Sequence, residues 1–377
     1  MRIGVDARRL REKNLTGIGM YVYYVLKYLQ AYDNTNEYIL YMDREPLHWE
    51  NKSENFKIKI IRGNKLEEKI GSLWLEYKLG RYLKEDNIDV FWGPEQVLPK
   101  IPSNVKSVVT IHDVALWVNE KWGKRSNVVI QKLLVPKALK RTDHIIAISE
   151  ATKRDLINIF NIDKNKISVV YDGLYISDNQ DISPQNVTAT KEKYGINGKY
   201  FLYLGTLEPR KNVDLLVRAF DKVCDKHPDI YLVLAGGLGW KYEKVLKEIE
   251  QARNREKIIR TGYVSQQEKL DLFSVTEAFV FPSYYEGFGA PVIEAMYMNA
   301  LVITTSNSSL PEVGGEAAFY IKDEDNEMEL ALLMESVLQM STTERKNRLE
   351  KGKQQYQKFP LDKCAKETLS VLLKNIQ

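Results

Sequence analysis

The strongest chemical signal in this sequence is a pair of glutamates set in Pro282-Ser-Tyr-Tyr-Glu286-Gly-Phe-Gly-Ala-Pro-Val-Ile-Glu294-Ala-Met296. The segment follows an apolar run, Ala278-Phe-Val-Phe281, that reads as a strand, and ligands of open α/β sheets sit outside the carboxyl ends of strands. Gly287 and Gly289 let the backbone turn sharply and come close to a ligand. Pro291 suits a first helical position, where its missing N–H costs nothing. The free N–H groups of that helix start would form a site for a phosphate or a polarised hydroxyl. Glu286 falls in the loop and Glu294 about one turn inside the helix, so the two cannot easily share a proton as a hydrolase dyad does. They read as two hydrogen-bond acceptors along an extended ligand. The plain alternative is a pair of solvated glutamates, which helix starts favour anyway.

A second segment, Tyr203-Leu-Gly205-Thr-Leu-Glu-Pro-Arg210-Lys211-Asn-Val-Asp214, also lies at a strand's carboxyl end. Arg210 offers a planar fork to phosphate oxygens and Lys211 a point charge. Cations at a helix start oppose the macrodipole, a cost that an anionic ligand would explain. Thr110-Ile-His112-Asp113 closes a buried strand at its carboxyl end, where a histidine and an aspartate cost packing unless they face a cleft; the plain alternative is that His112 is a structural core histidine. Asn14-Leu-Thr-Gly17-Ile-Gly19 is a short glycine loop opening a long helix; it lacks the third glycine of a dinucleotide fingerprint. No metal-ligand cluster, serine-nucleophile elbow or P-loop stands anywhere in the chain. Asp323-Glu-Asp325 reads as a solvated acidic loop leading into a helix rather than a metal motif.

These segments need strands and helices to position them, and the pattern supplies both. Strands are expected at Arg2–Asp6, Tyr38–Met42, Lys57–Ile61, Asp89–Trp92, Lys106–Ile111, His144–Ile148 and Ser168–Tyr171, with helices near 18–31, 69–85, 127–141 and 150–159. After a turn-rich stretch, strands at Tyr200–Leu204, Ile230–Ala235 and Ala278–Pro282 alternate with helices near 212–226, 241–252 and 291–298. Apolar strands alternating with helices predict doubly wound parallel sheets. The division expected is a first domain at 1–172, a linker at 173–190 and a second domain at 191–358. Phe359-Pro360 breaks the tail, and an amphipathic helix from 361 is expected to return to the first domain.

Composition narrows the classes. The chain has 377 residues, enough for two cores, with 44% hydrophobic and 28% charged residues. No signal-peptide pattern or long apolar run appears, and the two cysteines read as reduced thiols, so a cytoplasmic protein is expected. Residues 1–172 carry 29 Lys and Arg against 22 Asp and Glu, a net +7, while the remainder carries −3. That bias suits an anionic lipid surface or a lipid-phosphate acceptor, and no nucleic-acid motif accompanies it. Leu73, Trp74, Tyr77 and Leu79, among lysines, could lie against a membrane at its inner face or simply face the core.

Taken together, Gly-Val-Asp, Thr-Gly-Ile-Gly, Ile-His-Asp, Ala-Ile-Ser-Glu150, Gly-Thr-Leu-Glu-Pro-Arg-Lys-Asn and the paired glutamates resemble retaining GT-B glycosyltransferases of family GT4, in the family's order, over residues 1 to about 320. The resemblance implies two Rossmann-like domains facing each other across a cleft, the first on the acceptor side and the second holding most of the nucleotide sugar. It implies a nucleotide-diphosphate sugar donor, no cofactor and no metal. Arg210 and Lys211 would neutralise the diphosphate, and Glu294 would take the ribose hydroxyls. Glu286 and the N–H groups of Phe288, Gly289 and Ala290 would hold the sugar. His112 would lie near the anomeric carbon, and Gly17 and Gly19 would let the first domain close. The opening motifs are similar to mannosyl- and rhamnosyltransferases of bacterial surface polysaccharide (lipopolysaccharide) assembly. GDP-mannose is therefore favoured over a UDP- or dTDP-sugar, with a glycan or lipid-linked glycan as acceptor. A nucleotide-sugar epimerase of the same fold and a non-catalytic sugar-nucleotide-binding protein are the rival readings.

Overall fold

The computed structural model describes residues 1–13, 15, 17–63, 78–175 and 182–374. These divide into two compact units, one of Met1–Val118, Arg125–Tyr175 and Phe359–Gln377, the other of Asn119–Lys124 and Ile176–Lys358.

The first unit is built on strands β1 (Arg2–Asp6), β2 (Glu37–Met42), β3 (Phe56–Ile60), β4 (Val90–Gly93), β5 (Lys106–Ile111), β6 (His144–Ala147) and β7 (Ile167–Val169). They form one parallel sheet in the order β3-β2-β1-β4-β5-β6-β7. A parallel sheet covered by helices on both faces is buried twice over, which is why Val90-Phe-Trp-Gly93 is wholly buried. The helix Ile18–Tyr32 buries Tyr21, Val22, Val25, Leu26 and Leu29, the spacing of one helical face. The helix Leu361–Lys374 packs on it, and Cys364, Ala365, Leu369, Val371 and Leu372 join the same core as β1 and the first helix. Where this helix begins, Leu174 N–H donates to the Phe359 carbonyl at 3.1 Å. Both cysteines are buried free thiols.

The second unit repeats the plan with β8 (Lys199–Leu204), β9 (Ile230–Ala235), β10 (Ile258–Gly262), β11 (Ala278–Phe281), β12 (Val302–Thr305) and β13 (Phe319–Ile321). Its parallel order is β10-β9-β8-β11-β12-β13. In both sheets the unit's first strand lies inside, two successors build outward on one side, and the chain then crosses to the other side. The crevices expected at such reversals lie between the ends of β1 and β4, and of β8 and β11.

Several expectations are corrected at the level of elements. Residues 184–190, expected as linker, form the first turns of a helix, Pro184–Tyr194, with Ser183 capping it through the Asn186 N–H and Pro184 opening it. The strands β10, β12 and β13 are additions: Ile258-Ile-Arg-Thr-Gly262 and Phe319-Tyr-Ile321 are too short to show a period. The helix Arg125–Arg141 continues through Pro136. Of the helix expected near 69–85, residues 78–85 are described, with an α-helix at Gly80–Glu85, while Leu73, Trp74 and Tyr77 lie outside the described residues; Leu79 is buried. Asn119–Lys124, expected with the first domain, belongs to the second unit, where the Trp122 carbonyl accepts from Trp240 Nε1 at 2.8 Å.

Candidate active site

β8 and β11 are paired neighbours, so the loops that leave their carboxyl ends emerge side by side. The first runs through Gly205 into a 3-10 turn, Pro209–Lys211, and reaches the helix Val213–Cys224 through Asn212, which is left-handed at φ 52°. The second carries Glu286. Tyr284 N–H donates to the Arg210 carbonyl at 3.0 Å, stitching the two loops together. At the root of the first loop Gly205 and Gly236 touch backbone to backbone: a Cβ on Gly236 would stand 2.0 Å from the Gly205 carbonyl oxygen.

The charges converge on Glu286. Arg210 Nη1 donates to Glu286 Oε2 at 3.0 Å and to the Tyr285 carbonyl at 2.7 Å, and Nη2 donates to Glu208 Oε1 at 3.1 Å. Lys211 Nζ donates to Glu286 Oε1 at 2.6 Å and lies 4.8 Å from the centre of the Phe281 ring. All three side chains are largely buried. Burial pushes the Glu286 carboxyl up, but the Arg210 and Lys211 charges outweigh it and hold the group at about 2. Burial and the neighbouring Arg210 lower Lys211, against the pull of Glu286. This geometry corrects one inference from the sequence. The adjacent cations do not need a bound anion to offset their cost, because Glu286 and Glu208 supply the counter-charge.

The loop that bears Glu286 is held from behind by residues that sequence reasoning missed. Glu286 N–H donates to Ser308 Oγ at 2.9 Å, and the buried Ser309 hydroxyl bonds the carbonyls of Glu286 (3.0 Å) and Phe288 (2.8 Å). Phe288 is buried. Gly289, at φ 98°, precedes the helix Ala290–Tyr297, in which Pro291 is the second residue rather than the first. Trp122 stacks on Tyr284 with 6.1 Å between ring centres.

Glu294 has a different partner. Its Oε1 accepts from Lys269 Nζ at 2.8 Å, both side chains being 12% exposed. Arg210 and Lys211 both pair with Glu286. Lys269 sits on the helix Gln266–Ser274, and nothing local in the sequence ties it to Glu294. The acidic run bends into a capped helix start: Asn326 accepts from the Met328 and Glu329 N–H groups, while Asp325 accepts from the Tyr284 hydroxyl.

His112 belongs to the first unit, just beyond β5. Its Nε2 lies 2.7 Å from the Pro94 carbonyl, an acceptor, so Nε2 carries the proton and Nδ1 the lone pair. Burial lowers its pKa to about 4, which keeps the ring neutral at neutral pH. Tyr21 meets it edge-on at 4.9 Å. Gly17 caps the first helix at φ 45°, and Gly19 lies buried in its first turn; Asn14 and Thr16 of that loop are outside the described residues. Among the described residues no helix is long and apolar enough to cross a membrane.

Two family models match the chain, one described as "Glycosyltransferase Family 4" over residues 15–177 and the other as "Glycosyl transferases group 1" over residues 186–356. The chain is 29% identical to O-antigen chain mannosyltransferase B of Escherichia coli over 284 residues, which are 74% of this chain and 73% of that protein. It is 31% identical to the serotype-specific mannosyltransferase WbdA of Escherichia coli over 209 residues, 52% of this chain but only a quarter (25%) of that protein's length. The fold is shared with crystalline HepE of Anabaena in complex with UDP and glucose, at TM-score 0.72 and 14% identity over 99% of this chain and all of the other.

Proposed function

The chain belongs to the GT4-type glycosyltransferases, and on that premise we propose that it is a retaining, metal-independent transferase moving a hexose from a nucleotide-diphosphate sugar to a glycan or lipid-linked glycan. The observation that carries the reading is the cluster of Arg210, Lys211 and Glu286 on the two loops at the reversal of the second sheet. A diphosphate entering there takes donors from Arg210 and Lys211, which stabilises the charge that develops as the glycosidic bond breaks. Glu286, ionised and acceptor-only, then turns its oxygens to the sugar hydroxyls. A carboxylate so occupied is a poor candidate nucleophile, which favours front-face attack with retention. Glu294, held with Lys269, is proposed for the ribose, and His112 as the first unit's contribution to the reaction.

Mannose is the favoured sugar because the matched relatives from Escherichia coli are named mannosyltransferases, and GDP-mannose is the favoured donor. The neighbour crystallised with UDP and glucose keeps a UDP-sugar as the competing choice. Cytoplasmic residence with peripheral contact to an anionic membrane is part of the proposal. It draws on the basic first half and on Val129 and Leu133, which stand exposed on the Arg125–Arg141 helix beside Lys132 and Lys137.

The test is to incubate the protein with GDP-mannose, UDP-glucose or dTDP-rhamnose and an oligomannose acceptor, with EDTA present. The expected product is the acceptor heavier by one hexose, with the donor's anomeric configuration kept. A donor converted to another sugar without acceptor would mean an epimerase. Loss of turnover in EDTA, restored by a divalent cation, would overturn the metal-independent mechanism.

A further inference from the structure

Trp122 has no part in the chemistry above, yet its partners lead straight to Arg210. A short 3-10 turn, Glu120–Trp122, delivers it, capped by the Asn119 side chain, which accepts from the Lys121 N–H at 3.0 Å. The chain up to Val118 and again from Arg125 belongs to the first unit, whereas Asn119–Lys124 belongs to the second. There the indole lies nearly parallel to the Tyr284 ring, at 16° and 6.1 Å between centres, and is tilted by 33° to Tyr285 at the same distance. The Trp122 carbonyl accepts from Trp240 Nε1 at 2.8 Å.

The two tyrosines are the residues that orient Arg210. Tyr284 N–H donates to the Arg210 carbonyl at 3.0 Å, and the Tyr285 carbonyl accepts from Arg210 Nη1 at 2.7 Å. This dipeptide thus grips the arginine by its backbone and by its guanidinium. The Tyr284 hydroxyl donates to Asp325 at 2.7 Å, which pins the far end of the ring. Trp240 reaches the same loop from the other side. It follows Gly239, whose N–H donates to the Leu207 carbonyl at 3.0 Å, and Leu207 N–H donates to the Gly237 carbonyl at 2.9 Å. Leu207 lies on the loop that carries Arg210. Aromatic pairs have preferred geometries, so a stacked indole fixes the orientation of the rings it covers, which aliphatic packing does not. We propose that Trp122 is a positioning residue for the donor site, wedged against Tyr284 and Tyr285 so that their backbone holds Arg210 in place for the diphosphate. The inference rests on the donor reading above for what Arg210 meets, and adds to it a residue that acts through Arg210.

Two measurements on the full-length protein test it, using Trp122→Leu, which keeps apolar volume but not the aromatic face, and Trp122→Phe, which keeps both. The first is hydrogen exchange at the Tyr284 amide, which reads its bond to the Arg210 carbonyl directly and needs no ligand. Exchange there is expected to quicken about tenfold in Trp122→Leu, the scale of an aromatic pair, and to return towards the wild-type rate in Trp122→Phe. Amides within β8, β9 and β11 should keep their protection in both variants, which separates a loosened loop from an unfolded unit. The second is a double-mutant cycle with Arg210→Ala, read as sugar transfer. Trp122→Leu is expected to lower kcat about tenfold with the acceptor KM unchanged, and to cause little further loss once Arg210 is already alanine. Unchanged exchange at Tyr284 in Trp122→Leu would overturn the inference, as would the same loss of kcat with and without the Arg210 side chain. A wild type that neither transfers sugar nor is stabilised by any nucleotide would count against the donor reading alone, and exchange at Tyr284 would still decide whether Trp122 holds Arg210.

Discussion

Glu286 accepts from both Arg210 and Lys211, so removing its charge leaves two buried cations without the carboxylate they share. Breaking a buried ion pair from one side costs about 3–5 kcal/mol, because the remaining charge stays desolvated. Glu286→Gln is therefore expected to lower the melting temperature of the unliganded protein. A nucleotide diphosphate should restore more stability to this variant than to the wild type, which differential scanning fluorimetry would show. Arg210→Ala is expected to lower kcat/KM by about 2–4 kcal/mol of transition-state stabilisation, read from steady-state kinetics. Acid should act in two windows. His112, at about 4 against 6.5 unfolded, binds its proton more readily in the unfolded chain, so stability falls as pH drops from 6.5 towards 4. Glu286, at about 2 against 4.5, contributes stability above 4.5 that is lost as pH falls to 2. Each window is worth on the order of 3 kcal/mol. His112→Gln should remove the upper window and leave the lower one, as followed by circular dichroism across the acid titration.

At the scale of elements, the site depends on how two loops leave adjacent strands. Gly205 and Gly236, at φ 153° and 143°, sit where the ends of β8 and β9 touch. A methyl group on Gly236 would collide with backbone, which has no rotamer to escape into. Gly236→Ala is expected to displace the loop that carries Arg210, lowering nucleotide-induced stabilisation even if the variant folds; thermal shift with and without GDP would measure it. The Arg-Lys pair and the Glu-Gly-Phe-Gly segment are legible in sequence because each is local and each follows a strand of visible apolar pattern. Ser308, Ser309 and Lys269 are not, since a serine between strands and a lysine on an amphipathic helix carry no local mark of what they touch. The same holds for β13, three residues long, and for Pro184–Tyr194, whose turn-forming neighbours hide a helix.

At the scale of the molecule, the chain passes between its units after Val118, Lys124, Tyr175 and Lys358. The last passage has the largest energetic consequence. Leu369, Val371 and Leu372 of the terminal helix are buried in the first unit's core, and each such side chain is worth about 1.5–3 kcal/mol when buried. Their sum is comparable to the whole stability of an ordinary domain. Truncation after Lys358 is expected to unfold the first unit while the second still binds nucleotide. Hydrogen exchange would then show protection lost over β1–β7 and kept over β8–β13.

The sequence alone determined the fold class and the GT4 kinship, because alternating apolar strands and amphipathic helices are periodic signals and the glycine, proline and charge motifs are contiguous. It also picked out Arg210, Lys211, Glu286 and Glu294 as residues of interest. Only the tertiary structure decided their partners. Glu286 joins the two cations because β8 and β11, far apart in sequence, are neighbours in the sheet. Glu294 joins Lys269 because two helices meet. Pairing among buried charges is set by which elements pack together, and strand order is a property of the sheet that no single stretch of residues encodes.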